Sequence, residues 1–236
     1  ADCVPDAWGR KVAEIDFAQQ KLGPLTPLNL LAWRDSRGLG ALQIHPALGD
    51  GGQWNMKLKT ITAASLARGA AQIQRGAPSV VLPQLVRGGT AGVAYPKTLI
   101  LAYADGTLSV AEPDGVGVPA LLKFDLSKTG GLAECEHAYA RMSKAAGIDA
   151  VTTELIGEGT KTKRSHLLVH RFDVAAKDPA RRIHFHSLAR LLHFDHRHGR
   201  AVNERRHHLP LRRHAGRRRA ARTDVGQRQA LPPHVI

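Results

Sequence analysis

The chain is predicted to fold as an α+β protein that ends in a basic, unstructured tail. Three observations carry this. Short apolar runs of strand length sit at 98–103, 120–124 and 165–173. Two longer stretches, 61–73 and 132–146, place their apolar residues at helical spacing. The formal charge of +14 is also uneven. The last 41 residues carry 11 Arg and no Lys against only Glu204 and Asp224, a net +9, whereas the first 195 carry only +5. The body is therefore ordinary in charge, and the tail is not.

Taken in order, Asp6 is placed to cap a helix over 5–20, with Val12, Ile15 and Phe17 on its apolar side and Leu22-Gly23-Pro24 as its stop. Thr26 caps a second helix to Trp33, with Pro27 at its first position. Residues 35–38 read as a turn, 39–44 as a short strand and 46–52 as a loop. The helix over 61–73 aligns Leu66, Ala70 and Ile73. Residues 78–83 are irregular.

A glycine-rich stretch follows, Gly88-Gly89-Thr90-Ala91-Gly92-Val93-Ala94-Tyr95-Pro96-Lys97, then the strand 98–103, a turn at Ala104-Asp105-Gly106, and a second strand ending Leu121-Leu122-Lys123-Phe124. Glycines admit backbone N–H groups close to a phosphate, and a lysine on a strand supplies a point charge for one. On spacing alone the same stretch reads equally as a hairpin with a solvated lysine. Beyond a polar loop at 125–131, the helix 132–146 turns Ala133, Ala138, Tyr139, Met142 and Ala146 inward and stops at Gly147. A loop and strand over 148–156, a strand over 165–173 and a helix over 183–193 complete the body. The order strand, strand, helix, strand, strand, helix is that of the small lobe of a kinase-like fold followed by the start of a helical lobe.

Several patches follow one another in order along the chain: Pro5-Asp6-Ala7-Trp8-Gly9-Arg10, Arg37-Gly38-Leu39-Gly40-Ala41-Leu42, the loop Thr90 to Lys97, and Leu121-Leu122-Lys123-Phe124. Glu136-His137-Ala138-Tyr139 through Ala145-Ala146-Gly147-Ile148, Leu168-Val169-His170-Arg171-Phe172-Asp173, and Arg182-Ile183-His184 with Ser187-Leu188 complete the set. Together they resemble the HipA family of bacterial serine/threonine kinases, the toxin halves of toxin–antitoxin pairs. The resemblance spans roughly 4–198. It implies a HipA N-terminal subdomain remnant over 1–80, a kinase-like nucleotide-binding lobe and the start of a second lobe over 81–198, and an arginine-rich tail over 199–236.

The resemblance also implies roles. Lys123 would bind the phosphates of ATP with Mg²⁺, and Glu136 on the next helix would pair with that lysine; Glu136 reads otherwise as a solvated helix charge. Gly89 and Gly92 would cradle phosphate. Val169 to Phe172 would form the hinge, with backbone groups of His170 and Phe172 meeting adenine. Thr90 falls where the family carries an autophosphorylated serine, and reads otherwise as a loop hydroxyl capping a turn. Val93 stands in place of a family glycine and Tyr95 in place of a common arginine or glutamine.

Kinase chemistry also needs an aspartate for the acceptor hydroxyl and an asparagine and aspartate for Mg²⁺. No such loop is recognisable. His193-Phe194-Asp195-His196-Arg197-His198 is superficially similar, but position 200 is Arg rather than Asn, and Asp195 reads as structural. His184, His186, His193, His196 and His198 have spacings open to a metal but lack cysteine partners. The tail has two readings: an arginine-rich arm that binds nucleic-acid phosphates, or translation out of frame in a GC-rich gene, which the abrupt change near 198 favours.

No run reaches membrane-helix length. The N-terminus lacks the basic-then-apolar pattern of a signal peptide and lacks an initiator methionine, so the chain is expected to start inside a longer reading frame. Cys3 and Cys135 suggest neither a metal site nor a disulfide framework. The expectation is a cytoplasmic HipA-like toxin, an ATP-dependent protein kinase by family, truncated and catalytically impaired. Its implied partners are a HipB-like DNA-binding antitoxin and a protein substrate in the translation machinery. The alternative is a non-enzymatic module that binds an antitoxin or, through the tail, nucleic acid.

Overall fold

A computed structural model describes residues 4–5, 7–49, 60–87, 95–110, 114, 116–158, 164–175, 178–184, 186–192, 194–195 and 200–201. The chain divides into two compact units, Ala1–Phe185 and His186–Ile236.

The first unit opens with α1 (Ala7–Gln20) and α2 (Pro27–Arg34). The expected cap Asp6 lies outside the described residues. Thr26 does cap α2, its hydroxyl accepting the Asn29 N–H at 3.1 Å, with Pro27 leading the helix. α3 (Ala63–Gln74) is capped by Thr62 and buries Leu66, Ala70 and Ile73 completely. A further short helix, α4 (Leu82–Arg87), occupies part of the stretch expected to be irregular. Pro83 near its start is compatible, since the first turn has no intrahelical partner for that N–H.

Five strands follow: β1 (Lys97–Ala102), β2 (Leu108–Ser109), β3 (Val118–Lys123), β4 (Thr153–Gly157) and β5 (Ser165–His170). They form one antiparallel sheet in the order β2-β1-β3-β5-β4, and α5 (Leu132–Ala145) lies between β3 and β4 in the chain. The α+β class expected from the sequence is the one found. The pleat sends alternate residues to opposite faces. Ile100, Ala120, Leu122 and Leu168 join Trp8, Val12, Phe17, Leu30, Trp33, Leu66 and Leu85 in one buried cluster under α1–α4. Two polar ties are buried with it. The Trp8 indole N–H donates to the Lys97 carbonyl at 2.8 Å, and the Trp33 indole N–H donates to Asp16 Oδ2 at 2.6 Å. On the other face α5 packs against β4 and β5.

Three expectations need correction. Residues 39–44 form no strand. Side chains satisfy their backbone in place of a ladder: Arg34 donates to Leu39 O at 3.0 Å, and the Gly40 N–H donates to Asp173 Oδ2 at 2.7 Å. Gly38 permits this path, because a Cβ there would sit 1.8 Å from the Arg34 guanidinium. Second, the helix expected over 183–193 is reduced to α6 (Leu188–Leu191). Upstream of it, β6 (Val174–Ala175) and β7 (Asp178–Arg182) form a hairpin, which the Ile183 N–H extends by donating to Asp173 O at 2.8 Å. Third, the face of α5 expected to turn inward is exposed. Tyr139 is 64% and Met142 63% accessible, Ala138 and Ala146 are exposed, and Ala133 is the one buried residue of the helix.

The second unit contains α6 and the two-residue strands β8 (Phe194–Asp195) and β9 (Arg200–Ala201), which pair antiparallel. Asp195 thus has its backbone in a hairpin, opposite Arg200. The tail from 202 onward lies outside the described residues. Among those described, no helix is long and apolar enough to cross a membrane.

Candidate functional site

Lys123 is the last residue of β3, where the strand hands over to the connector leading into α5. Its register partner on β1 is Lys97, so two lysines stand opposite one another at the edge next to the glycine-rich segment. Lys97 is 1% exposed and its ammonium donates to Tyr95 O at 3.2 Å. Lys123 is partly open, and its ammonium lies 2.6 Å from Glu136 Oε2 on α5. A lysine and a carboxylate thirteen residues apart in sequence are therefore brought into one ion pair by the connector and the helix.

The connector has its own anchors. Asp125 is buried at 3% exposure. Its Oδ1 accepts the Ser127 N–H at 3.0 Å and the Ser127 hydroxyl at 2.5 Å, and its Oδ2 accepts the Leu132 N–H at 2.8 Å. Burial alone pushes this carboxyl up, but the Ser127 and Leu132 donors outweigh it and hold it below the usual carboxylate range. The Asp125 N–H donates to His166 Nδ1 at 3.1 Å, and His166 Nε2 faces Glu158 Oε1 at 3.0 Å. His166 is fully buried. Burial pushes its imidazole below the ordinary value, against the pull of Glu158. Arg164 completes the cluster by donating to the carbonyls of Asp125 at 3.3 Å and Ser127 at 2.9 Å.

At the far end of β5, Val169 and His170 lie within the strand. The His170 N–H donates to Thr152 O at 2.9 Å and so is engaged within the sheet. Its imidazole Nε2 lies 2.6 Å from Glu154 Oε1. Phe172 follows in a bend. Next to it Arg171 grips Asp173 with two hydrogen bonds of 2.9 and 2.7 Å. Burial pushes the Asp173 carboxyl up, and Arg171 and the Gly40 N–H more than offset this. Asp173 thus fastens the chain leaving β5 to the segment around Gly40.

Lys123, Glu136, Val169, His170 and Phe172 are therefore all placed on or beside one sheet. Gly89, Thr90, Gly92 and Val93 lie outside the described residues, as do His193, His196 and His198. His184 and His186 are exposed, and among the described residues no three metal-binding side chains converge. Sequence reasoning missed Asp125 and His166. A signal existed for the first: Asp125-Leu126-Ser127 is an Asx-turn pattern ahead of a helix whose own cap position, Gly131, has no side chain.

The family model of the HipA-like C-terminal domain matches residues 89–231. No curated protein matches the chain. The match takes in the glycine-rich segment, Lys123, Glu136 and the end of β5. It continues past residue 198, where the motif-by-motif resemblance ends, through most of the arginine-rich tail. Since it covers well over half of the sequence, the chain belongs to the HipA-like family.

Proposed function

We propose that this chain is a HipA-type toxin kinase homologue whose first task is to bind Mg-ATP, at a site built from β1, β3, α5 and the end of β5. The observation that carries the reading is the 2.6 Å pair between Lys123 and Glu136. In protein kinases a lysine on the third strand meets the nucleotide phosphates, and a glutamate on the following helix holds it there. The five-stranded antiparallel sheet, with its helix between the third and fourth strands, is consistent with a kinase-like small lobe. The segment leading into β1 ends at Lys97, the register partner of Lys123, and the family resemblance assigns phosphate cradling to its Gly89 and Gly92, a residue type whose backbone N–H groups suit phosphates. Mg²⁺ would neutralise phosphate charge there.

The family reaction is transfer of the γ-phosphoryl group to a protein hydroxyl, with substrates in the translation machinery and a DNA-binding antitoxin as partner. This sequence carries no aspartate with an asparagine five residues on in the second unit. The proposal is accordingly nucleotide binding with phosphoryl transfer impaired. Incubating the protein with γ-labelled ATP and Mg²⁺, alongside equilibrium nucleotide binding, tests this. Saturable binding with no label on Thr90 or on added protein supports it. Label transferred at a kinase-like rate contradicts the impairment, and absence of binding contradicts the nucleotide site. A second reading, a non-enzymatic module that binds nucleic acid through its +9 tail, predicts DNA affinity that collapses with salt and is lost on deleting 199–236.

A further inference from the structure

α5 carries the carboxylate of the proposed nucleotide site, yet only one of its residues is buried, Ala133 in the first turn. A helix held so lightly by apolar contact takes its position from polar anchors. Two of these tie its middle and end to the entry of β4: His137 to Thr153 and Lys144 to Thr152, each at 2.9 Å. The first turn has no anchor at its own cap position, because Gly131 offers no side chain and stands at φ 93°. The unpartnered N–H groups of a helix start need an acceptor, and here it comes from seven residues upstream, from Asp125.

We propose that Asp125 is a positioning residue for the nucleotide site: by closing the first turn of α5 from the connector, it aims Glu136 at Lys123, and His166 holds Asp125 in place. This rests on the nucleotide reading of Lys123 and Glu136. One carboxylate binds both ends of the connector. Oδ1 closes the turn at Ser127, and Ser127 Oγ in turn accepts the Gly130 N–H at 3.0 Å. Oδ2 accepts the Leu132 N–H. The Asp125 backbone N–H is fixed on His166 Nδ1, which must be unprotonated to accept it, so the ring proton sits on Nε2 toward Glu158. Glu136 lies one turn further along α5 with its side chain half exposed, whereas the Lys123 side chain is 29% exposed. Burial does not fix the Glu136 end of the pair, so its 2.6 Å geometry depends on how α5 is anchored, by Asp125 at the first turn and by His137 and Lys144 further along.

The test measures Lys123 directly. Amine-labelling of Lys123 is read by mass spectrometry, and Mg-ATP affinity by titration, in the full chain and in Asp125→Ala, Asp125→Asn, Glu136→Gln and the double variant Asp125→Ala/Glu136→Gln. Asp125→Asn keeps one acceptor and serves should the alanine variant not fold. The expected result is that Asp125→Ala raises Lys123 labelling as Glu136→Gln does. It should weaken Mg-ATP by roughly two- to thirtyfold, the range of a lost helix cap, and have no further effect on either readout once Glu136 is gone. Independent, additive effects, or unchanged labelling in a folded Asp125 variant, overturn the proposal. Coupled labelling in a chain that binds no Mg-ATP overturns the nucleotide reading and leaves the positioning of Glu136 by Asp125 standing.

Discussion

Lys123 on β3 and Glu136 on α5 meet at 2.6 Å although an eight-residue connector separates their elements. The pair is partly open to solvent, 29% for the lysine and 52% for the glutamate. Exposed pairs of this kind contribute only about 0–1 kcal/mol to stability. Folding stability therefore gives the pair little value, and the proposed nucleotide site is what gives it a role.

Stability should depend on His166 at mildly acidic pH. Burial depresses its folded value, so the folded chain keeps the imidazole neutral, while the unfolded chain titrates near the ordinary value of about 6.5. Below that value the unfolded state binds a proton that the folded state refuses, so this contribution is present at neutral pH and is lost as pH falls. Asp125 and Asp173, both held below the usual carboxylate range, add a second loss below about pH 4. Melting temperatures at pH 7 and pH 5 should differ clearly in the native chain and differ less in His166→Gln. An equal fall in both would show that other groups govern the response.

Much of this architecture is legible in sequence. Thr26-Pro27 marks α2 because a side-chain cap and a fixed φ act locally. The spacing of Leu66, Ala70 and Ile73 marks α3, whereas the Lys123–Glu136 pairing is expected from the family resemblance and not from spacing, which also allows a solvated helix charge at Glu136. What is not legible depends on distant partners. The stretch 39–44 has strand-like composition but gives its backbone bonds to Arg34 and Asp173. Asp125 looks like a loop residue until His166, forty-one positions away, is seen against it. The apolar side of α5 has helical spacing, but spacing cannot say which side the sheet takes.

The exposed side of α5 should therefore tolerate polar substitution. Tyr139→Lys with Met142→Glu is expected to shift unfolding free energy by no more than about 0.5 kcal/mol, the range for surface sites. The same double variant should reduce aggregation, because it breaks an apolar stripe that includes Leu132 and lies near Ile148. Light scattering and chemical denaturation read the two effects separately. A loss of several kcal/mol would mean that this side is packed in solution.

The buried tie between Asp16 and Trp33 should matter more. Asp16→Ala removes the acceptor of the buried Trp33 indole N–H at 2.6 Å and one partner of the part-buried Gln20 at 2.9 Å. Leaving a buried donor unpaired costs about 1–3 kcal/mol. Denaturant unfolding of Asp16→Ala and Asp16→Asn should show the larger loss in the alanine variant, since asparagine retains an acceptor.

The central claim, that Lys123 serves a nucleotide site, is tested most directly by thermal unfolding with and without saturating Mg-ATP in the native chain and in Lys123→Met. A ligand bound only by the folded state at about 100 times its dissociation constant adds about 2.7 kcal/mol. The account predicts a clear upward shift in the native chain that is lost or much reduced in Lys123→Met, with the two proteins melting within a few degrees of one another without ligand. An equal shift in both proteins, or none in the native chain, would contradict it.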